Sequence, residues 1–171
     1  MKRLIFVNGP MGVGKSTVCR ELQKLLAPCA YLDGDWCWDL VPFTVTEETK
    51  ELVLGNAAHL LRSFLNCSVV ETVLFAWVLP KREIIDELLS RIGGGAEFRL
   101  FTLTAGEQTL AARLEADVRE GRREADVIAR ALSYIPLYAA DMGGVRIGTD
   151  ALAAADVART IADMVRPGGR K

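Results

Sequence analysis

Residues 9–16 read Gly9-Pro10-Met11-Gly12-Val13-Gly14-Lys15-Ser16, followed by Thr17. The stretch satisfies GxxxxGK[ST], and its surroundings matter as much as its letters. Upstream, the predicted strand Arg3–Asn8 holds the apolar run Leu4-Ile5-Phe6-Val7, as expected when both faces are covered. Downstream, Val18, Leu22, Leu25 and Leu26 fall on one stripe of a helix predicted over Gly14–Ala27, which Pro28 stops. In such a strand–loop–helix unit, glycines let backbone N–H groups turn inward around an anion, and the helix N-terminus adds partial positive charge. The expected phosphate cradle is Gly9, Pro10, Met11, Gly12, Val13, Gly14, Lys15, Ser16 and Thr17. Lys15 can reach the β- and γ-phosphates of ATP as a mobile charge, and the Ser16 hydroxyl can ligate Mg²⁺.

The remaining chain reads as one α/β domain. Further strands are expected at Ala30–Asp33, Ser68–Leu74, Phe98–Leu103 and Val145–Ile147, alternating with helical patterns, which argues for a mainly parallel sheet. Thr44 and Glu47 have capping-box spacing ahead of a helix reaching Leu65, and Thr104 and Glu107 repeat that spacing before Leu110 and Leu114. Gly93-Gly94-Gly95 ends a helix that follows Pro80. Another helix is expected over Glu124–Asp141, bent at Pro136, and the last from after Asp150 to near Val165. The domain spans residues 1–165, and residues 166–171 are expected to fray.

Composition narrows the function. The 171 residues carry 21 Lys plus Arg against 22 Asp plus Glu, a formal net charge of -1, which disfavours nucleic acid as a partner. The N-terminal apolar run is too short for a signal-peptide core, and nothing is long enough to span a membrane. Cys19, Cys29, Cys37 and Cys67 form no CxxC pair, and His59 is the lone histidine, so a structural zinc site is not expected. These features suit a cytoplasmic protein, a monomer or homodimer, acting on a small molecule.

A second informative stretch is Asp33-Gly34-Asp35-Trp36. Ligands of parallel sheets sit beyond the carboxyl ends of the strands, where Asp33 and Asp35 are expected, one strand from the phosphate loop. Two acids there suit two tasks, holding Mg²⁺ and accepting the proton of a substrate hydroxyl. Trp36, Arg62 and Glu71 are further candidates for the acceptor side, with Glu71 placed in the third strand where it could also assist the metal. Arg113, Arg119, Arg122 and Arg123 surround Gly121. Arginines beside a glycine hinge can reach a γ-phosphate and stabilise its charge, which makes Arg119 and Arg122 the candidate catalytic arginines.

Phosphate loop, short helix and then Asp-x-Asp resemble the small P-loop kinases of the shikimate kinase, gluconate kinase and chloramphenicol phosphotransferase-like group. The resemblance implies the nucleoside monophosphate kinase fold, a three-layer domain whose five-stranded parallel sheet runs 2-3-1-4-5 with helices on both faces. It implies ATP and Mg²⁺, with Asp35 as the acceptor-side base, Asp33 in the metal shell, a lid at about 117–124 that closes over the γ-phosphate, and Gly148-Thr149-Asp150 near adenine. Element order agrees along nearly the whole chain, while the specific motifs lie in the first 36 residues. Val70-Glu71-Thr72-Val73 stands where shikimate kinases have a glycine triplet, and Trp36-Cys37 where gluconate kinases have Leu-His.

No NKxD or LSGGQ-type motif occurs, which counts against a GTPase switch and a transporter ATPase. The leading expectation is an ATP phosphotransferase acting on a small-molecule hydroxyl. The alternatives are a nucleotide or nucleoside kinase, and a nucleotide-dependent regulatory or binding module.

Overall fold

Leu4 and Phe6 point to one side of β1 (Lys2–Asn8), Ile5 and Val7 to the other, and all four are buried. That is why the run is apolar at consecutive positions. Each such burial contributes about 1.5–3 kcal/mol, and β1 occupies the centre of its sheet. The computed structural model describes residues 1–166. The expectation of a frayed tail therefore falls, apart from Arg166, outside the described residues.

The other strands are β2 (Cys29–Asp33), β3 (Thr72–Trp77), β4 (Ala96–Thr104) and β5 (Val145–Gly148). They pair in the order β2-β3-β1-β4-β5, every pair parallel. This is the 2-3-1-4-5 sheet expected from the sequence. On the Ile5 face pack α1 (Lys15–Leu25) and α6 (Ala154–Val165), through Val18, Leu22, Val157 and Ile161. On the Leu4 face pack α2 (Glu47–Asn66) and α3 (Arg82–Ile92), through Ala57, Leu61, Ile85 and Leu88. The result is one three-layer α/β domain. α4 (Glu107–Arg119) and α5 (Asp126–Tyr134) form a satellite in which Leu114, Val127 and Ala131 cluster, with Met11 of the phosphate loop packed against them. A 3-10 turn, Ile135–Tyr138, follows α5 with Pro136 near its start.

Three local expectations are corrected. The third strand begins at Thr72, not Ser68. Val70 donates its N–H back to Cys67 in a turn, and pairing starts where Thr72 meets Arg3 and Cys29. The capping box of α2 is Thr46 with Thr49, and the Thr44 hydroxyl instead donates to the Pro42 carbonyl at 3.0 Å. Thr104 does not cap α4 either; it ends β4, accepts the Thr149 N–H at 2.8 Å, and leaves Gly106 as the N-cap.

Candidate active site

The phosphate loop is held by contacts that only glycine permits. Gly9 has φ +146°, and a Cβ there would lie 2.5 Å from the Leu103 carbonyl oxygen. At Gly12, with φ +78°, a Cβ would lie 2.8 Å from Leu114, so α4 rests directly on the loop. Gly14 is the N-cap of α1, whose first turn has neither a side-chain cap nor an acidic residue. The N–H groups there suit an incoming anion. The Lys15 ammonium donates to the Gly9 and Pro10 carbonyls, both at 2.9 Å. Burial lowers its pKa to about 8, with Arg123 pushing the same way and Asp35 and Asp33 opposing.

Across the cleft, Asp33 ends β2 and Asp35 lies in the 3-10 turn Gly34–Trp38. Asp33 is tied down on both oxygens. Its Oδ1 accepts the Asp35 N–H at 3.2 Å, and its Oδ2 accepts the Ser16 hydroxyl at 2.7 Å and the Tyr31 hydroxyl at 2.8 Å. Burial pushes the Tyr31 phenol up, which keeps it protonated as a donor. Gly34 is pressed against Trp77, since a Cβ would come within 2.2 Å of the indole. Asp35 remains partly open to solvent, yet its carboxyl is raised above the ordinary range. Loss of hydration is the main cause and the Asp33 charge the second, while Lys15, Arg123 and the Trp77 indole favour the charged form.

These groups share a cleft of about 390 Å³. Met11 to Val18, Asp33, Asp35, Trp77 and Val78 form one part of its wall, and Arg113, Asp117, Arg123, Thr149 and Leu152 another. Arg113 donates to the Val13 carbonyl at 3.3 Å, to the Thr149 hydroxyl at 3.1 Å and to the Thr149 carbonyl at 2.7 Å. Asp150 turns away from the cleft. It accepts the Thr109 hydroxyl and the Gly106 N–H, which hold its carboxyl below the ordinary range.

Several sequence candidates lie elsewhere. Glu71 is exposed and precedes β3, at the amino end of the parallel sheet, so the expectation that it assists the metal or the acceptor is corrected. Arg62 is exposed on α2 and does not line the cleft, nor does Trp36, which is 79% exposed. The tryptophan in the wall is Trp77. Arg119 ends α4 exposed, and Arg122 is bonded to Asp117 and Glu120; neither lines the cleft, whereas Arg123 does, held by Asp117 at 3.2 Å. His59 is exposed.

Sequence reading passed over Asn8, which is fully buried at the end of β1. Its Oδ1 accepts the Gly9 N–H at 2.8 Å and the Leu79 N–H at 2.9 Å, with the Tyr138 hydroxyl at 3.3 Å, and its Nδ2 donates to the Leu79 carbonyl. One side chain thus joins the phosphate loop, the segment after β3 and the turn after α5. The available signal was an amide closing an apolar strand just before the loop.

Strand order, a glycine loop at the centre of the sheet and two carboxylates beside it define a P-loop α/β protein with the fold of the small P-loop kinases. The chain belongs to the family described as an AAA domain, whose model matches residues 5–130. Its structure is similar to that of the Deinococcus radiodurans tunicamycin resistance protein, with a TM-score of 0.70 and 19% identity over 96% of each chain. It is also similar to a gluconokinase from Sinorhizobium meliloti 1021, with a TM-score of 0.67 and 21% identity over 92% of this chain and 87% of that one. A shikimate kinase from Acinetobacter baumannii, solved in complex with shikimate, aligns with a TM-score of 0.64 and 20% identity over 96% and 93% of the two chains. No curated protein is significantly similar to the chain. Among the described residues, no helix is long and apolar enough to cross a membrane.

Proposed function

We propose that this protein is an ATP-dependent phosphotransferase that moves the γ-phosphoryl group to a hydroxyl of a small molecule. The observation that carries the reading is the unequal treatment of two carboxylates in one cleft. Asp33 is bound to Ser16 of the loop, while Asp35 has no bond to the loop and holds its proton more tightly than an ordinary carboxyl. A metal shell and a proton acceptor need that difference, because a base works best when its pKa is brought toward the working pH.

The Gly9–Thr17 loop and the N-terminus of α1 would hold the triphosphate, with Lys15 leaving its two carbonyl partners for phosphate oxygens. Ser16 and Asp33, hard oxygens already adjacent, fit Mg²⁺, which takes few protein ligands. When bound, Mg²⁺ supplies positive charge that neutralises the phosphate oxygens. Asp35 takes the proton of the acceptor hydroxyl as its oxygen bonds to the γ-phosphorus, and the bond to the β-phosphate oxygen breaks to release ADP. Arg123, at the turn between α4 and α5, stands where charge develops, and residues 117–124 act as the lid of a domain spanning 1–165.

The deciding experiment is ADP release coupled to a panel of hydroxylated acceptors, with Asp35→Asn as the control. The variant keeps the size and most of the hydrogen bonding of the carboxyl but cannot accept the proton. Turnover should fall by about 10²–10⁴-fold, with ATP affinity by calorimetry nearly unchanged. Full turnover in the variant would return Asp35 to a turn residue.

A further inference from the structure

Directly after Asp35, the chain carries large apolar side chains into solvent: Trp36 is 79% exposed, Val41 97%, Phe43 59% and Val45 55%. Single exposed apolar residues are ordinary, but four within ten positions concentrate apolar surface on one segment of the chain. The segment is tied to the cleft through the ring contacts of Trp38. Trp38 lies 5.3 Å from Phe43 and 6.2 Å from Trp77, ring centre to ring centre, and Trp77 and Val78 line the cleft with Asp35. Apolar surface therefore extends from beside the proposed base to open solvent.

Charge on this side has one sign. From Gly34 to Thr49 the chain has Asp35, Asp39, Glu47 and Glu48 and no Lys or Arg. The next cation, Lys50, is paired with Glu47 at 2.7 Å, and Arg62 is exposed on α2 beyond Asn56, the residue whose amide ties that helix to the Cys37 carbonyl. Beyond Val78, Lys81 and Arg82 border a separate depression, with Arg82 bonded to Asp86 and to the Met142 carbonyl. The cations lining the cleft are engaged by the loop carbonyls, by Val13 and Thr149, and by Asp117. A carboxylate or phosphate on the acceptor would meet acids and aromatic rings along residues 34–49, a stretch that carries no cation, while Lys15 and Arg123 are taken up by the transferred phosphate.

We infer that the acceptor is a ring-bearing or otherwise apolar alcohol without an anionic group, its body on Trp77, Trp38 and the 36–45 segment and its hydroxyl at Asp35. The inference rests on the phosphotransferase reading and adds the substrate class. Neutral rings gain from the apolar surface, whereas an anion pays desolvation and like-charge repulsion there.

All three tryptophans, Trp36, Trp38 and Trp77, belong to this region, so intrinsic fluorescence reports on it. The test titrates the whole protein, with Mg·ADP present, with benzyl alcohol, 2-phenylethanol and uridine as neutral ring-bearing alcohols. Against them stand 4-(hydroxymethyl)benzoate, shikimate and gluconate as anionic alcohols; ADP release with Mg·ATP is measured on the same set. At least one neutral probe should quench fluorescence, release ADP and bind about tenfold or more tightly than its anionic counterpart. Trp36→Ala should weaken the neutral probe, and Asp39→Asn with Glu48→Gln should narrow the gap by strengthening the anionic one. Equal or tighter binding of the anionic probes overturns the inference while leaving the phosphotransferase reading in place. So does intact ADP binding with no neutral probe bound, or a dimer in gel filtration that Trp36→Ala dissociates. Failure of the protein to bind Mg·ADP overturns the phosphotransferase reading itself.

Discussion

The Ser16 hydroxyl donates a 2.7 Å hydrogen bond to Asp33, joining the start of α1 to the end of β2 across the mouth of the sheet. Neither residue's own element brings this about. β2 is separated from β1 by β3, and the two ends meet because every strand runs parallel and opens at the same edge. Asp33 is further oriented by Tyr31 and by the backbone of Asp35. Such outer partners fix a ligand before the ligand arrives.

Asp33→Asn should raise the Mg²⁺ concentration for half-maximal rate by about tenfold or more, and Ser16→Ala should act in the same direction. Because the two groups share one bond, the double variant should cost less than the sum of the singles. Magnesium titrations of the steady-state rate decide this. Additive effects would mean that the residues act apart.

Lys15 supplies a pH dependence whose sign follows from its burial. Its pKa falls from 10.5 to about 8 in the free protein, so the ammonium is lost progressively as pH rises through about 8. Bound phosphate favours the charged form, so nucleotide binding should take up a proton between pH 8 and 10.5 and weaken as pH rises through that window. Calorimetry in buffers of differing ionisation enthalpy measures the uptake. Lys15→Ala should bind nucleotide more weakly and show no uptake in this window.

Arg123 and Arg119 should behave differently although both lie in the proposed lid. Arg123→Ala should lower turnover by about 10²-fold with little change in ATP affinity, as expected of a contact that strengthens with transition-state charge. Arg119→Ala, exposed and outside the cleft, should leave turnover nearly unchanged. Initial rates on an accepted alcohol compare them, and the reverse ranking would place Arg119 over the phosphates.

Asn8→Ala should destabilise the fold by at least about 1–3 kcal/mol, because it strands the buried Leu79 N–H and carbonyl. Urea unfolding reads the loss. Since the Gly9 N–H and the Tyr138 hydroxyl lose the same acceptor, the variant should also bind nucleotide more weakly under conditions where it remains folded.

The phosphate loop was legible in the sequence because its requirements are local. Positive φ at Gly9, Gly12 and Gly14 and a lysine following Gly14 are written in consecutive residues, and the strand before it shows its two-sided burial as an unbroken apolar run. Strand order was legible through the same motif and the Asp-x-Asp stretch, by resemblance to folds that carry both. What only tertiary structure decided is set between elements. The run from Ser68 to Trp77 contains no local mark of where pairing begins; its start at Thr72 is imposed by Arg3 and Cys29, and that choice carried Glu71 out of the strand and Trp77 into the cleft wall. Likewise Arg119, Arg122 and Arg123 look alike in sequence, and their separate positions follow from the helix end after Arg119 and from Asp117, which holds Arg122 and Arg123 on different oxygens. Short-range backbone geometry is encoded residue by residue, whereas which side chain faces a cleft depends on partners distant in the chain.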